Sequence, residues 1–194
     1  MNRADKVIQG LEKNNMQGFF AENKHMVVPI ISKHINPGDT VAAYGLQSLH
    51  SCGLINLLKC GKYKYLDMYK PGLSENQKYN IFIDSFSADV FLCSCTAITE
   101  NGKLYNYISD SNNAAPITYG PKSVIVVVGW NKIVKDSDEM VHKTKPLLLP
   151  FGINPHKTTL NCLSHQKNPG YNYLAAGYQK IASRIKVIIV GENL

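Results

Sequence analysis

Apolar positions near the start of the chain recur at helical spacing. Within residues 2–23 they fall at Val7, Ile8, Leu11, Met16, Phe19 and Phe20 with polar residues between them, which predicts a first helix that can break at Asn14-Asn15. Met26, Val27, Ile30 and Ile31 repeat the pattern over 25–35 and predict a second helix, stopped by the turn signal Pro37-Gly38-Asp39. Residues 40–44 form a short β-type run. Gly45 interrupts it, and Leu49, Leu54, Leu57 and Leu58 return to helical spacing over 47–59.

The alternation continues along the chain. Residues 63–69 read as a strand, 75–86 as a helix and 89–95 as extended. Ile98 and the run 103–107 flank Thr99-Glu100-Asn101-Gly102, and Asn-Gly between strand-like arms signals a hairpin. Residues 123–128 are an unbroken, mostly β-branched run between Gly120-Pro121 and Gly129, the pattern of a strand covered on both faces. A similar strand is expected at 184–190. Pro146, Pro150, Pro155 and Pro169 make 146–173 read as irregular. These elements predict one α/β domain over 1–194, with N-terminal helices at 3–35, an α/β core at 40–145, and an irregular segment plus closing strand at 146–194.

Composition narrows the class. With 194 residues, 44% hydrophobic and 18% charged, the chain can bury a substantial core within a single domain. Its first residues, MNRADKVIQGLEKNN, lack the apolar region of a secretory signal, and its longest apolar run falls far short of the roughly 20 residues that cross a bilayer. A soluble, cytoplasmic protein without a membrane partner is expected. The cysteines at 52, 60, 93, 95 and 162 form no framework of the secreted type and read as free thiols. Cys93 and Cys95 share strand parity, but no CxxC or HxxxH partner lies near to complete a zinc site, so they read as packing residues.

The formal charge of +7 is local: residues 141–194 hold seven of the 21 basic residues and one of the 14 acidic ones. Lys143, Lys145, Lys157, Lys167, Lys180, Arg184 and Lys186 are spaced singly, without a nucleic-acid motif. They read as a solvated basic face before they read as a nucleic-acid footprint.

Candidate chemistry lies in two loops, because ligands of open α/β sheets gather at the carboxyl ends of the strands. AAYGLQSLHSCG, residues 42–53, places Gly45 and Ser48 where a strand passes into a helix and can hold phosphate or carboxylate; the plain alternative is a tight turn. In GPKSVIVVVGWNKIVKD, residues 120–136, Gly129 allows a sharp turn that delivers Asn131 and Lys132 to the sheet edge. Lys132 there can clamp an anion, act as base or nucleophile if burial lowers its pKa, or simply cap loop carbonyls in solvent. Glu100 in the hairpin can be a general base, an orienting group or turn chemistry. His142, His156, Cys162 and His165 match no zinc spacing, so no metal is expected.

Read together, LEKNN, VAAYGLQSLHSCG, YKYLD, the AITENG hairpin, YGPK with VVVGWNKIV, and the closing RIKVIIVGENL resemble the lactate-utilisation (LUD) domain family over nearly the whole chain. The resemblance implies a three-layer α/β/α sandwich like that of ribose-5-phosphate isomerase, glucosamine-6-phosphate deaminase and the CoA transferases. It also implies a link to lactate oxidation beside iron–sulfur redox proteins, and it supplies no reaction. The chain departs from the family pattern at Tyr44-Gly45-Leu46-Gln47-Ser48-Leu49-His50-Ser51, where the family usually reads Gly-Gly-Ser-x-Thr-Leu-x-Glu. Ser111-Asn112-Asn113 replaces its Gly-Asn-Arg, and Cys162 stands alone where relatives carry several cysteines.

The expected site therefore binds a small anionic metabolite, with Gly45 and Ser48 at the anion loop, Glu100 and Asn101 on the hairpin, and Asn112, Gly129, Asn131 and Lys132 closing it. Lys132 and Glu100 are the catalytic candidates. The changes at Leu46, Ser51 and Asn113 favour a binding, altered-specificity or degenerate role. A second expectation is a non-catalytic subunit that docks on an iron–sulfur redox protein through its basic C-terminal third. The ligand, the cofactor and the oligomeric state do not follow from the sequence.

Overall fold

A computed structural model describes residues 2–107, 114–148 and 173–194. Its strands are β1 (Gln17–Ala21), β2 (Thr40–Ala43), β3 (Lys64–Leu66), β4 (Val90–Cys93), β5 (Ala97–Thr99), β6 (Leu104–Tyr107), β7 (Ser123–Gly129), β8 (Ile133–Val134), β9 (Tyr173–Ala176) and β10 (Ile185–Val190). Its helices are α1 (Arg3–Lys13), α2 (Val27–Ile31), α3 (Leu46–Ser51), α4 (Leu54–Leu58), α5 (Glu75–Asp84), α6 (Ala114–Thr118) and α7 (Ser137–Leu148).

Six strands pair in the order β1-β10-β7-β4-β2-β3, every neighbour parallel. Parallel strands need both faces covered, and the alternation of side chains divides the work. Val124, Val126 and Val128 of β7 and Val187 and Ile189 of β10 face a core completed by Val7 and Leu11 of α1 and Ile117 of α6. Ile125, Val127, Ile188 and Val190 face the opposite core, filled by Val27 and Ile31 of α2 and Leu49, Leu54 and Leu58 of α3 and α4. The result is a sheet with helices on both faces, as the sequence reading predicts.

A second, mixed sheet has the order β8-β5-β6-β9, with Ile98, Leu104 and Ile133 packed into the α1 side of the core. The predicted hairpin is its centre, β5 pairing antiparallel with β6. Thr99 N–H donates to the Lys103 carbonyl and Gly102 N–H to the Thr99 carbonyl, with Gly102 at φ 76°. The connection is therefore a three-residue loop with glycine in the left-handed position.

Several boundaries differ from the sequence reading. The first helix ends at Lys13; Asn15 takes the left-handed conformation at φ 58°, and the chain enters β1. Phe19 then packs on one core while Phe20 points to solvent, so the spacing of Met16, Phe19 and Phe20 reflects a strand. The second helix ends at Ile31, short of residue 35. The helix expected over 47–59 is broken into α3 and α4 at Gly53, which has φ 73°. Pro146 lies in the last turn of α7, which ends two residues later at Leu148. Tyr173 opens β9. The rest of the segment read as irregular, residues 149–172, lies outside the described residues. No helix among the described residues is long and apolar enough to cross a membrane.

Candidate functional site

Strand order creates the site. From β2 the chain moves outward to β3, crosses back to β4 on the other side of β2, and continues towards β7. The connections leaving β2 and β4 thus diverge, the arrangement at whose carboxyl ends open α/β sheets bear their ligand crevices. Gly45 follows β2 there and Ser94 follows β4.

Gly45 takes the left-handed conformation at φ 73°, which turns the chain from β2 into α3 and brings Ser48 back over the sheet edge. A side chain at Gly45 would meet only ordinary contacts with Ser94, at 3.6 Å from its backbone nitrogen. The glycine is therefore required by the turn rather than by lack of space. Ser48 is 3% exposed, whereas Ser94 is half-buried.

From the neighbouring β7, a short 3-10 turn, Trp130–Lys132, carries Lys132 to the same place. Its Nζ donates to Ser94 Oγ at 2.8 Å and to Ser48 Oγ at 3.1 Å, and the two hydroxyl oxygens are 3.4 Å apart. Among the described residues no carboxylate forms an ion pair with Lys132. Burial holds the Lys132 pKa below the ordinary lysine value. Cys93 and Cys95 are buried nearby, and the same desolvation raises both thiols, Cys95 to about 12. Neutral thiols at ordinary pH give the ammonium no counterion.

The remaining candidates are placed elsewhere. Glu100 accepts from Arg3 Nε at 3.0 Å and Lys6 Nζ at 3.4 Å, which ties the hairpin to α1. Ile98 is paired with Ile133 and Thr99 with Val134, so Glu100 stands roughly 10 Å of strand from Lys132. Asn101 accepts from Thr99 Oγ1, and its carbonyl accepts from Asn14 at 2.9 Å; this is turn chemistry. Gly10 and Gly102 meet backbone to backbone under that turn. Asn131 donates to the Leu194 carbonyl at 3.2 Å and accepts the Leu194 N–H at 3.1 Å, and a side chain on Gly129 would collide with Leu194. Both residues hold the end of the last strand. Asn112 lies outside the described residues.

Ser94 is the member of the cluster that the sequence reading missed. The signal lay between the two conspicuous cysteines: a hydroxyl on the first residue past a buried strand. The anion loop also differs from expectation, since α3 has only six residues and contributes little helix dipole. In the basic C-terminal third, Arg184 is buried and donates to the carbonyls of Pro116, Ile117 and Pro121, while Lys186 donates to Ser123 Oγ and the Ser183 carbonyl. These two cations serve the interior. No group of three or more metal-ligating side chains occurs among the described residues, and His156, Cys162 and His165 lie outside them.

A sequence profile described as LUD domain matches residues 4–190. No curated protein matches the sequence. Among solved structures, a DUF162 family protein from Deinococcus radiodurans superposes with a TM-score of 0.60 at 15% identity, covering 98% of this chain and 99% of that one. Likeness at this identity concerns the fold. Weaker matches are eIF2B beta from Chaetomium thermophilum, with a TM-score of 0.42 at 16% identity over 60% of this chain and 44% of that one, and eIF2B delta from the same organism, with 0.40 at 19% over 69% and 53%.

Proposed function

The chain belongs to the LUD domain family, and from that premise we propose that it binds a small organic-acid anion, of the lactate type that the family's name suggests, in the crevice between β2 and β4. The observation that carries this reading is the Lys132 ammonium, held by two serine hydroxyls and matched by no carboxylate among the described residues. A half-buried cation of this kind gains by accepting a carboxylate, through charge-assisted hydrogen bonds about twice as strong as neutral ones. Ser94 and Ser48 add hydroxyl donors, and Gly45 sets no side chain beside Ser94. Glu100 and Asn101 take no part in it.

Thermal melts of wild type and Lys132→Met against lactate, other 2-hydroxy and 2-oxo acids, acetate and inorganic phosphate test the reading. A ligand at 100 times its dissociation constant stabilises the fold by about 2.7 kcal/mol, a shift of roughly 5 °C or more for a domain of this size. The expected result is a shift by one class of acid in wild type that disappears in Lys132→Met. Equal shifts in both proteins would place the ligand elsewhere, and no shift by any of these anions would overturn the reading.

A further inference from the structure

The same three side chains also have the makings of a catalytic group. Lys186 provides the contrast: its Nζ is held by a hydroxyl and a backbone carbonyl at the amino end of β10, the pattern of a structural cation. Among the described residues Lys132 is held by hydroxyls alone, one buried and one half-buried, at the carboxyl edge of the sheet. We propose that Ser94 is the nucleophile of a serine–lysine acyl-transfer site acting on small esters or thioesters, with Lys132 as its base and Ser48 holding the lysine in place. This rests on the reading of the crevice as the ligand site, and deepens it: hydrolysis of such an acyl compound releases a carboxylate, the class of anion assigned to the crevice.

The geometry and the chemistry agree. A general base must sit within hydrogen-bond reach of the proton it takes, and Nζ lies 2.8 Å from Ser94 Oγ. Burial favours the neutral amine that the role requires. In the first step, neutral Nζ takes the Ser94 proton as Oγ bonds to the acyl carbon, and the carbonyl electron pair moves to oxygen. Collapse of that intermediate restores the carbonyl and breaks the bond to the alcohol or thiol, which leaves with the proton from Lys132. Water then attacks the acyl-serine, giving a proton to Nζ; Ser94 Oγ departs and recovers it. One ester and one water become one acid and one alcohol, with no redox change.

The oxyanion donor in this scheme is Asn106 in β6, which is 3% exposed and whose Nδ2 has no hydrogen-bond partner among the described residues. The carbonyl of its neighbour Tyr105 accepts the N–H of Thr96, two residues beyond Ser94, so β6 runs alongside the segment that carries the nucleophile. A preorganised, unmatched donor is what oxyanion stabilisation uses.

The test is a fluorophosphonate probe on the wild-type protein, with the adduct mapped by peptide mass spectrometry, together with hydrolysis of p-nitrophenyl acetate and its thioester analogue. A Ser94 adduct is expected. Hydrolysis should rise with pH as Lys132 loses its proton, vanish in Ser94→Ala, fall about 100-fold or more in Lys132→Met, and fall in Asn106→Ala. Absence of an adduct at Ser94, or hydrolysis that survives Ser94→Ala, overturns the proposal. The anion-binding reading is separable, because anion affinity should fall over the same pH range in which hydrolysis rises. Lysine-dependent melting shifts without an adduct would leave binding standing and sink acyl transfer; an adduct without shifts would do the reverse.

Discussion

Lys132 Nζ and Ser94 Oγ are 2.8 Å apart although 38 positions separate them in sequence, and each is delivered by the carboxyl end of a different strand of the same sheet. The pair exists because β4 and β7 are hydrogen-bonded neighbours, with Cys93 level with Val126.

This contact carries a stability cost with a definite pH dependence. The folded-state pKa of Lys132 lies below its unfolded value of about 10.4, so between the two the unfolded chain binds the extra proton. Stability from this group therefore rises with pH through that window, and the full cost of a desolvated cation is present below it. Lys132→Met should stabilise the fold at pH 7 by about 0.5–2 kcal/mol, and its advantage over wild type should shrink as pH approaches 10. Denaturant melts of both proteins at pH 7 and pH 10 check this; an advantage independent of pH would mean that the lysine charge is not the source.

Arg184 locks the amino end of β10 to α6 and the loop before β7 through three carbonyls at 2.7–3.0 Å. Removing the guanidinium leaves buried acceptors without donors, at a cost of about 1–3 kcal/mol. Arg184→Met should lower the melting temperature by several degrees. Arg184→Lys should recover little of it, because an ammonium lacks the planar fork that reaches three oxygens. Full recovery by lysine would show that charge alone matters.

Gly102→Ala should be among the most damaging small substitutions in the protein. The residue sits at φ 76°, and the added carbon would collide with the backbone of Gly10 and Leu11. Strain and overpacking together should cost about 2–4 kcal/mol. Gly38→Ala has φ 89° and open space around it, so it isolates the conformational part and should cost about 1 kcal/mol. Urea midpoints of the two variants give the comparison.

Alkylation separates the thiols. Cys60 is exposed, whereas Cys52, Cys93 and Cys95 are buried, with Cys52 raised to about 11 and Cys95 to about 12 by desolvation. Iodoacetamide at pH 8 followed by peptide mapping should label Cys60 in the native protein, and Cys52, Cys93 and Cys95 only after unfolding. Native labelling of Cys93 or Cys95 would contradict their role as packing residues.

The strands with continuous apolar runs were legible from sequence, because β7 and β10 are buried on both faces and nothing polar interrupts them. β1 was not: Asn14-Asn15 marked a possible end of the first helix, but Met16, Phe19 and Phe20 keep helical spacing, so nothing in the residues showed the chain leaving that turn as a strand. β8 and β9 are too short to show a period and exist through pairing with the hairpin. Gly45, Ser48 and Lys132 could be read as loop residues at strand ends, but which strands are adjacent is a property of the sheet order. Ser94 acquires its position only from that order. Glu100 and Asn101 attracted attention by their chemistry, and the turn and α1 account for both.

Leu194 is gripped by Asn131, the residue immediately before Lys132. A surface coupled at Leu194 pulls on the short turn that aims the lysine. For immobilisation, Leu194 is therefore the wrong handle: a sensor surface coupled there would record the lysine under load. Coupling through Cys60, exposed just beyond α4, leaves the turn at rest.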